Sequence, residues 1–362
     1  MPLLLQWGRE RKAMPVNIRV LKAFHGDCIF ITVESETVTE RILIDGGPAA
    51  TFGVSPQGEL RALLNELEAE GKQIDLVILT HVDDDHIGGL IKAFEVKDGL
   101  TKLARKIMFN SGRLIHEYFK VQVDPKKEIL GNFTQSKNTS INQGNTLERL
   151  LKDLGIWHES VIKQGDKHTL KGCELIFLTP DESELKKLLT TWEKGQPSPF
   201  TSASKTDWKK SYKELLAQDT FKEDNSTPNG SSISFILKVG EYNFLFLGDA
   251  HPTSIIQGLT MQGYNADTPI KAEVVKLSHH GSKGNTSPDL LSTIDCLTYI
   301  VSTDATRHGL PNKITFARIH SKKPNAAILF NYKSVISSIY TNDELAQLKN
   351  QINALLGELK FD

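Results

Sequence analysis

The chain has 362 residues, of which 39% are hydrophobic and 24% charged, as in an ordinary globular protein. Its formal net charge of −1 excludes a strong overall field for nucleic acid or anionic membrane, although a local basic groove stays open. No apolar run reaches the roughly 20 residues that span a bilayer, so we expect no membrane partner. Three distant cysteines, Cys28, Cys173 and Cys296, indicate buried thiols in a reducing compartment, and we expect a cytoplasmic protein.

The first half of the chain predicts strands interrupted by helices. It opens with three β-rich runs, NIRVLKAF, CIFITVES and RILIDGG. A helix is predicted at 58–71, where leucines recur at helical spacing. The continuous apolar run IDLVILT (74–80) is typical of a strand covered on both faces, and GGLIKAF starts a helix behind it. Further strands are predicted at 105–110 and 173–180, with a helix at 146–155 between them.

The second half returns to strands after a polar stretch. Residues 181–228 are rich in charged residues, serine and proline, and we interpret them as a partly helical insertion or lid. SISFILKVG and YNFLFLGDA predict a hairpin, EVVKLSHHGS and LTYIVSTD predict further strands, and ELAQLKNQINALLGELK predicts an amphipathic closing helix. We expect an N-terminal extension at 1–15 and a single domain at 16–362. Two β-rich halves with helices outside predict an α/β fold, a four-layer αββα sandwich.

The stretch THVDDDHIGG, at residues 80–89, concentrates metal-ligating side chains directly after a buried strand. A charged surface turn is the alternative interpretation of such a stretch. Imidazole nitrogens and carboxylate oxygens are ligands for zinc, manganese and iron, however, and the carboxyl ends of strands in α/β layers carry ligand sites. The candidate ligands in this cluster are His81, Asp83, Asp85 and His86.

Two later strands end in residues of the same kinds. Asp249 follows FLFLG and is a candidate to bridge two ions, while His279 or His280 follows VVKLS. Convergence of three strand ends on ligand-type residues predicts a metal site that could hold two ions. Asp45, in LIDGG, is predicted to orient a ligand histidine rather than to bind metal itself. His25 has no comparable context and is interpreted as an ordinary histidine.

At this point the pattern resembles the metallo-β-lactamase superfamily, whose hallmark is HxHxDH followed by a distant aspartate and histidine. It is most similar to the hydrolase domain of ComEC-type DNA-uptake proteins and their stand-alone relatives. The resemblance extends in order from about residue 16 to residue 345. The motifs that carry it are FHGDCIFI, LIDGG, HxDxDHxGG, KQGDKHTLKGCELIFLTP, NGSSISFIL, LGDAH, SHHGS and STDATRHGLPN.

The chain departs from the superfamily pattern at two points. Asp83 stands where most members have histidine, which makes that metal position harder and more tolerant of manganese. The usual third histidine, between the cluster and the bridging aspartate, has no obvious match. Asn229 lies in roughly that region and is predicted to fill the place or to support it. A site with a single metal is therefore the alternative to a site with two.

We hypothesise a site with two divalent ions, zinc or manganese, in which His81 and Asp83 bind one ion. Asp85, His86 and His279 bind the other, with Asp249 bridging. A hydroxide formed at the metals would attack phosphorus, since a bound metal lowers the pKa of water to about 7. The residues predicted to be catalytic are Asp85, His280 and His308, and those predicted to contact phosphate are Ser282, Lys283 and Arg307.

The resulting hypothesis is a metal-dependent hydrolase, specifically a phosphodiesterase with DNA as a candidate substrate. Small phosphodiesters stay open because the pI is near neutral. Hydrolysis of a carboxyl ester, lactone or thioester at the same site is the alternative within enzymes. A metal-stabilised sensor or partner-binding module without catalysis is the alternative outside them. The sequence identifies no protein partner.

Overall fold

The computed structural model describes residues 14–119, 139–194, 206–349 and 351–362. Among these residues, no helix has both the length and the apolar character needed to cross a membrane. The predicted N-terminal extension, residues 1–15, lies almost entirely outside the described residues. The first strand begins at Val16, where the predicted domain begins.

The strands of the described residues form two large mixed sheets and one small pair. In chain order they are β1 (Val16–Val20), β2 (Ile29–Glu34), β3 (Thr39–Ile44), β4 (Leu76–Ile78), β5 (Ile107–Met108), β6 (Lys167–Thr169), β7 (Glu174–Thr179), β8 (Ser234–Val239), β9 (Tyr242–Phe246), β10 (Ile270–Lys271), β11 (Val274–Lys276), β12 (Ile294–Asp295), β13 (Thr298–Val301), β14 (Ala327–Phe330), β15 (Ile352–Ala354) and β16 (Glu358–Phe361).

The first sheet has the order β16-β1-β2-β3-β4-β5 and the second has the order β15-β14-β13-β11-β9-β8-β7-β6. In the first sheet, β16 to β3 run antiparallel to their neighbours, and β3, β4 and β5 are parallel. In the second, β6 to β9 are antiparallel, and β9, β11, β13, β14 and β15 are parallel. Each sheet thus has a parallel half whose strand ends can carry a site.

Helices cover the outer face of each sheet. They are α1 (Glu59–Ala69), α2 (Asp84–Glu95), α3 (Leu100–Leu103), α4 (Gly112–Tyr118), α5 (Thr139–Leu151), α6 (Glu182–Lys194), α7 (Tyr212–Ala217), α8 (Thr227–Gly230), α9 (Pro252–Met261), α10 (Pro288–Thr293), α11 (Lys313–Lys322), α12 (Lys333–Ile339) and α13 (Asn342–Gln347).

Three apolar clusters fill the spaces between these layers. The central cluster contains inward-facing residues of both sheets, such as Ile18 and Ile31 from the first and Phe235 and Phe246 from the second. The two outer clusters join each sheet to its own helices. Full burial of side chains of this size contributes roughly 1.5–3 kcal/mol each. The predicted four-layer αββα sandwich is confirmed.

Most predicted elements are present with adjusted ends. The helix predicted at 58–71 is α1, and SISFILKVG with YNFLFLGDA forms the β8–β9 hairpin. The helix behind IDLVILT starts at Asp84, inside the metal-ligand motif, rather than at its glycine pair. The helix predicted at 146–155 begins at Thr139 and ends at Leu151.

The predicted closing helix is wrong over most of its length. Only Asn342–Gln347 is helical, and the chain then forms β15, beside β14, and β16, beside β1. Between these strands Gly357 takes φ +78°, a left-handed conformation that ends any helical run. Pairing with two sheets therefore overrides the helical spacing of the leucines.

The described part of the segment 181–228 is packed rather than free. The side chain of Asp207 accepts hydrogen bonds from the first amides of α11, Lys313 N and Ile314 N, at 2.8 and 2.9 Å. Trp208 Nε1 donates to Pro311 O at 2.8 Å, so this tryptophan is held against the second half of the protein. The residues between α6 and position 206 lie outside the described residues, and a lid function stays a prediction.

Candidate metal centre

The cluster loop is held in place by close packing of α2 on the turn after β3. Gly46 N donates to His86 O and Gly89 N donates to Gly47 O, both at 2.8 Å. A Cβ atom on Gly89 would lie 2.0 Å from Gly46 O, so only glycine permits this approach. Asp83 is the N-cap residue of α2, and the next residues turn toward the strand ends. The glycine pair of the motif therefore sets the position of its histidines.

Asp45 orients His86 from behind. Its Oδ2 lies 2.8 Å from His86 Nδ1, while its Oδ1 accepts Thr80 N at 2.7 Å. Thr80 Oγ1 also donates to Asp45 Oδ2 at 2.8 Å, and all three side chains are buried. With Nδ1 facing the carboxylate, His86 turns Nε2 toward the cluster. This is the arrangement that the sequence predicted for Asp45.

Four buried polar atoms in the cluster have no hydrogen-bond partner: Nε2 of His81, His86 and His280, and Oδ1 of Asp249. His86 Nε2 lies 3.6 Å from Asp249 Oδ1, and His81 Nε2 lies 3.8 Å from Asp249 Oδ2. A buried unsatisfied polar atom costs about 1–3 kcal/mol, so several in one place indicate a missing partner. Two ligands held tetrahedrally at about 2.1 Å from zinc are roughly 3.4 Å apart, close to these separations. The residues fit a divalent metal.

The candidate ligand atoms form two groups that overlap at His86, one of Asp85, His86 and His280 and one of His81, His86 and Asp249. In one group His280 Nε2 lies 3.3 Å from Asp85 Oδ2, and His86 Nε2 lies 4.0 Å from the same oxygen. The potential ligand atoms of Asp85, His86 and His280 all lie within 4.8 Å of one another. His280 Nε2 is also 4.0 Å from Asp249 Oδ2, which places the carboxylate of Asp249 beside this group.

The second group lies around His81. Asp83 Oδ2 is 3.7 Å from His81 Nε2, and His279 Nε2 is 3.8 Å from Asp249 Oδ2. The structure groups the histidine pair differently from the predicted ligand set, in which His279 joined Asp85 and His86. His280 lies with Asp85 and His86, while His279 Nε2 and His81 Nε2 are each 3.8 Å from Asp249 Oδ2.

An unusual backbone directs these adjacent histidines to different sides. His279 and His280 have φ of +46° and +53°, a left-handed conformation that L-residues rarely adopt. His279 N donates to Gly248 O at 2.9 Å and Ser278 Oγ donates to Ala250 O at 2.8 Å, which ties the turn to the strand end that carries Asp249. The surrounding structure holds the strain in place, as is common at functional sites.

Polar side chains from outside the motif hold the outer nitrogens of the pair. His279 Nδ1 lies 3.1 Å from Asn285 Oδ1 and 3.5 Å from Asp224 Oδ2. Asn229, predicted to replace or support a ligand, donates to Asp224 Oδ2 at 2.7 Å and lies 3.3 Å from His279 Nδ1. It therefore contacts the outer side of His279. Asp224 and Asn285 carry no signal in the sequence, because both lie in loops without a motif.

His280 has a carboxylate behind it as well. Its Nδ1 lies 2.9 Å from Ser302 O and 3.3 Å from Asp27 Oδ1, and Asp27 pairs with the buried Lys276. Sequence reasoning missed Asp27 as a site residue, although the FHGDCIFI motif contains it. Asp27, Asp45 and His86 form a further group with metal-ligand spacing. Donors of the protein itself, Lys276 and Thr80, already occupy those two carboxylates.

The charges of the cluster favour bound cations. Burial raises the pKa of Asp83 to about 6, and the neighbouring Asp85 adds to the rise. Burial also lowers the pKa of His81 to about 4. Burial opposes ionisation of Asp249, yet the charges of His279, His86 and His280 hold its pKa well below the usual range. Carboxylates that stay ionised in a buried place require positive charge beside them, which metal ions supply when they displace protons.

The predicted phosphate contacts lie at the rim. Arg307 is exposed, and its neighbour His308, predicted to be catalytic, is partly exposed and interacts electrostatically with Asp85, His279 and His280. His25, interpreted from sequence as ordinary, interacts electrostatically with Asp85, Arg307 and His280 and therefore belongs to the same rim.

Ser282 and Lys283 hold the loop that follows the histidine pair. Ser282 N donates to His279 O at 2.9 Å, and Lys283 N donates to Asn312 Oδ1 at 2.9 Å. The Lys283 side chain is exposed. Their role toward phosphate stays a prediction.

A four-layer αββα fold with a histidine–aspartate cluster at its strand ends defines a class of metal-binding α/β proteins. A family model described as the metallo-beta-lactamase superfamily matches residues 21–295. The chain belongs to the metallo-beta-lactamase superfamily, and the resemblance drawn from its motifs is confirmed.

Individual relatives give more detail. The chain is 25% identical over 286 residues to ComE operon protein 3 of Bacillus subtilis (strain 168), covering 76% of this chain and 27% of that protein. It thus spans about a quarter of the relative's length. The metallo-beta-lactamase fold protein YhfI from Bacillus subtilis is 12% identical, with 96% of this chain and 99% of that chain covered and a TM-score of 0.39. Zn(2+)-bound PqqB from Methylobacterium extorquens is 10% identical, with coverage of 96% and 99% and a TM-score of 0.43.

Proposed function

We propose that the protein is a metal-dependent hydrolase that cleaves phosphodiesters, with DNA as the first substrate to test. One observation carries the proposal: the unpartnered Nε2 atoms of His81, His86 and His280 converge on the carboxylate of Asp249, whose Oδ1 is also unpartnered. Such an arrangement costs folding free energy unless a ligand satisfies it. Function therefore explains the cluster better than stability does.

Zinc or manganese ions would be held in two places. His81, Asp83 and His279 would hold one ion, Asp85, His86 and His280 the other, and Asp249 lies between the two groups. Ions bound there would lower the pKa of a coordinated water toward about 7 and neutralise charge on the phosphoryl oxygens. The outer contacts of the histidines, with Asp45, Asp27 and Asp224, keep each Nε2 directed inward.

The rim supports an anionic substrate. The exposed guanidinium of Arg307 can donate paired hydrogen bonds to the oxygens of a phosphate. His308 stands beside the cluster, and burial lowers its pKa from 6.5. At neutral pH it is uncharged, and an approaching phosphate would raise the pKa and let the imidazole protonate the leaving oxygen. His280 has Nδ1 on Ser302 O and Nε2 on the cluster, which suits a ligand better than the predicted proton donor.

The comparison with ComE operon protein 3 adds to the case for DNA. It aligns with three quarters of this chain, and the motifs that the chain shares with ComEC-type DNA-uptake proteins contain the cluster and its later aspartate and histidines. The near-neutral charge of the whole chain means that a strand must be recognised by the local rim.

A small ester with a neutral or cationic leaving group is the second candidate substrate. A cavity of about 340 Å³ adjoins the outer side of His279 through Asp224. The carboxylates of Glu223 and Asp224 line it together with the ammonium of Lys187 and the carboxyl group of Glu184, whose pKa burial raises to about 7. This balance of charge disfavours phosphate in the cavity, so only an uncharged or positive part of a substrate would enter it.

The test compares three substrates on one metal-loaded preparation. Bis(p-nitrophenyl) phosphate, single-stranded DNA and p-nitrophenyl acetate are offered to the wild-type protein, Asp249→Ala and the exposed control Asp153→Ala. We expect about two ions per chain and turnover of both phosphodiesters. We expect Asp249→Ala to lose metal and at least about 100-fold in rate, and Asp153→Ala to lose neither.

The other outcomes decide between the candidates. Turnover of the acetate ester without either phosphodiester would replace the proposal by its second candidate. Metal-dependent thermal stabilisation without turnover of any of the three would identify a binding module and overturn the hydrolase proposal.

A further inference from the structure

A buried ion pair joins the two sheets behind the metal centre. Lys276 is the last residue of β11 in the second sheet, and Asp27 precedes β2 in the first. The Lys276 ammonium contacts Asp27 Oδ2 and donates to Leu277 O at 3.0 Å. Both side chains are almost fully buried, with 1% and 2% of their surface exposed.

The other carboxylate oxygen of Asp27 faces a candidate ligand. Asp27 Oδ1 lies 3.3 Å from His280 Nδ1 and has no hydrogen-bond partner. When Nε2 of a histidine binds metal, Nδ1 carries the proton and needs an acceptor. For His280 the acceptors in reach are Ser302 O, at 2.9 Å, and Asp27 Oδ1. The carboxylate thus stands behind His280 as Asp45 stands behind His86.

Stability alone gives little reason for this pair. Removing two charges from water costs more than their attraction commonly returns, and apolar replacement of a buried ion pair is often neutral or stabilising. A second buried lysine provides a comparison, since Lys313 has 1% of its surface exposed and pairs with Glu344 away from the cluster. The pair Asp27–Lys276 differs by its contact with a candidate metal ligand.

We propose that Lys276 and Asp27 are positioning residues that set the ring of His280 for the metal position formed by Asp85, His86 and His280. Lys276 fixes the Asp27 carboxylate, and the carboxylate fixes the His280 ring. The metal position around His81, Asp83 and His279 has other outer contacts and does not depend on the pair. This inference rests on the proposed metal-dependent function.

The test is a titration of the metal-free full chain with Co²⁺, whose visible absorption reports the ligand geometry of each ion. Lys276→Met should weaken binding of one of the two ions by about 10- to 100-fold and change its absorption, and should leave the other ion unchanged. Lys276→Arg should retain most of the wild-type affinity for that ion. Lys313→Met should lower the unfolding temperature without a change in either ion.

The double variant Asp27→Leu with Lys276→Met separates positioning from stability. We expect it to fold with an unfolding temperature close to that of the wild type and to show the same selective loss of one ion. Equal metal affinity in the wild type and in both variants, or equal weakening of both ions, would overturn the inference.

The imidazole resonances of the metal-free protein, labelled with ¹⁵N-histidine, give a readout that needs no ion. Lys276→Met should shift the His280 signals and spare those of His81. Failure of the wild type to bind two ions would refute the proposed two-ion function, whereas unshifted His280 signals would refute the positioning role by itself.

Discussion

Asp45 Oδ2 lies 2.8 Å from His86 Nδ1, so the turn after the third strand directs a histidine in the first turn of the following helix. Asp45→Asn keeps the shape of the side chain, and asparagine tolerates the left-handed backbone at φ +57°. The change removes the charge that orients and polarises the ring. We expect metal affinity to fall about 10- to 100-fold, measured by titration of the metal-free protein.

Asp75→Asn is the matched control for that experiment. The Asp75 carboxylate also accepts a hydrogen bond from a backbone amide, Arg41 N at 2.9 Å, and Asp75 lies just before β4 of the same sheet. It should change stability alone. Unchanged metal affinity in Asp45→Asn would contradict the role given to Asp45.

Glu184 should make stability depend on pH. Burial raises its pKa to about 7 from an ordinary value of 4.5, although Ser254 Oγ donates to it at 2.7 Å. Because the folded protein holds this proton more tightly, the contribution is complete below pH 4.5 and is lost as pH rises through 7. At 1.36 kcal/mol per unit, the change in the free energy of unfolding is about 3 kcal/mol.

Denaturation of Glu184→Gln between pH 4 and pH 8.5 measures this contribution. We expect the wild type to lose stability relative to the variant as the pH rises. Glu182→Gln, in the same helical turn but exposed, should follow the wild type at every pH. Parallel curves for the wild type and Glu184→Gln would refute the assignment.

Gly89→Ala should separate the metal-ligand helix from the turn that supports it. The new methyl group would meet Gly46 O at 2.0 Å, a backbone atom that cannot move aside. Overpacking of this kind costs about 1–3 kcal/mol, measured by chemical denaturation, and metal affinity should fall with it. At Gly172 the nearest atom to such a methyl is 3.4 Å away, so Gly172→Ala should be close to neutral. Equal stability of the two variants would contradict the close approach.

Phe361→Ala should destabilise both sheets. The Phe361 ring in β16 packs edge-on against Phe244 in β9, with ring centroids 5.0 Å apart. Loss of a partly buried aromatic contact of this kind costs about 1–3 kcal/mol in the free energy of unfolding. Leu356→Ala, where 83% of the side chain is exposed, should change it by less than about 0.5 kcal/mol. Urea denaturation of the two variants measures whether β16 contributes to the stability of the fold.

The layers and the place of the site follow from local patterns. Apolar runs predict the strands and helical spacing predicts the helices. Ligand-type residues come soon after three of the strands, following Thr80, Gly248 and Leu277. Neighbouring parallel strands end at a common edge, so Asp249, after β9, and the histidine pair, after β11, could be placed together without coordinates. The cluster after β4 belongs to the other sheet, and only the packing of the two sheets brings it beside them. The strands predicted before these residues are present as β4, β9 and β11.

The details that sequence reasoning missed depend on backbone direction and long-range contacts. The left-handed conformation of His279 and His280 places His280, rather than the expected His279, beside Asp85 and His86, and no residue type in the sequence predicts that conformation. Asp27 and Asp224 contact His280 and His279 from distant positions in the sequence, and such long-range contacts leave no local pattern. The closing segment has helical spacing at Leu345, Leu348 and Ile352, yet the free edges of two sheets compete for it and prevail.

The last residues of the chain have a consequence for how the protein comes apart. β15 lies at the edge of the second sheet, and β16, a few residues later, lies at the edge of the first. These two strands therefore connect the sheets, which also contribute candidate metal ligands to the same cluster. Neither sheet can separate while β15 and β16 both stay paired, so opening of the protein and loss of the terminal strand should occur as one cooperative event, together with release of any bound metal.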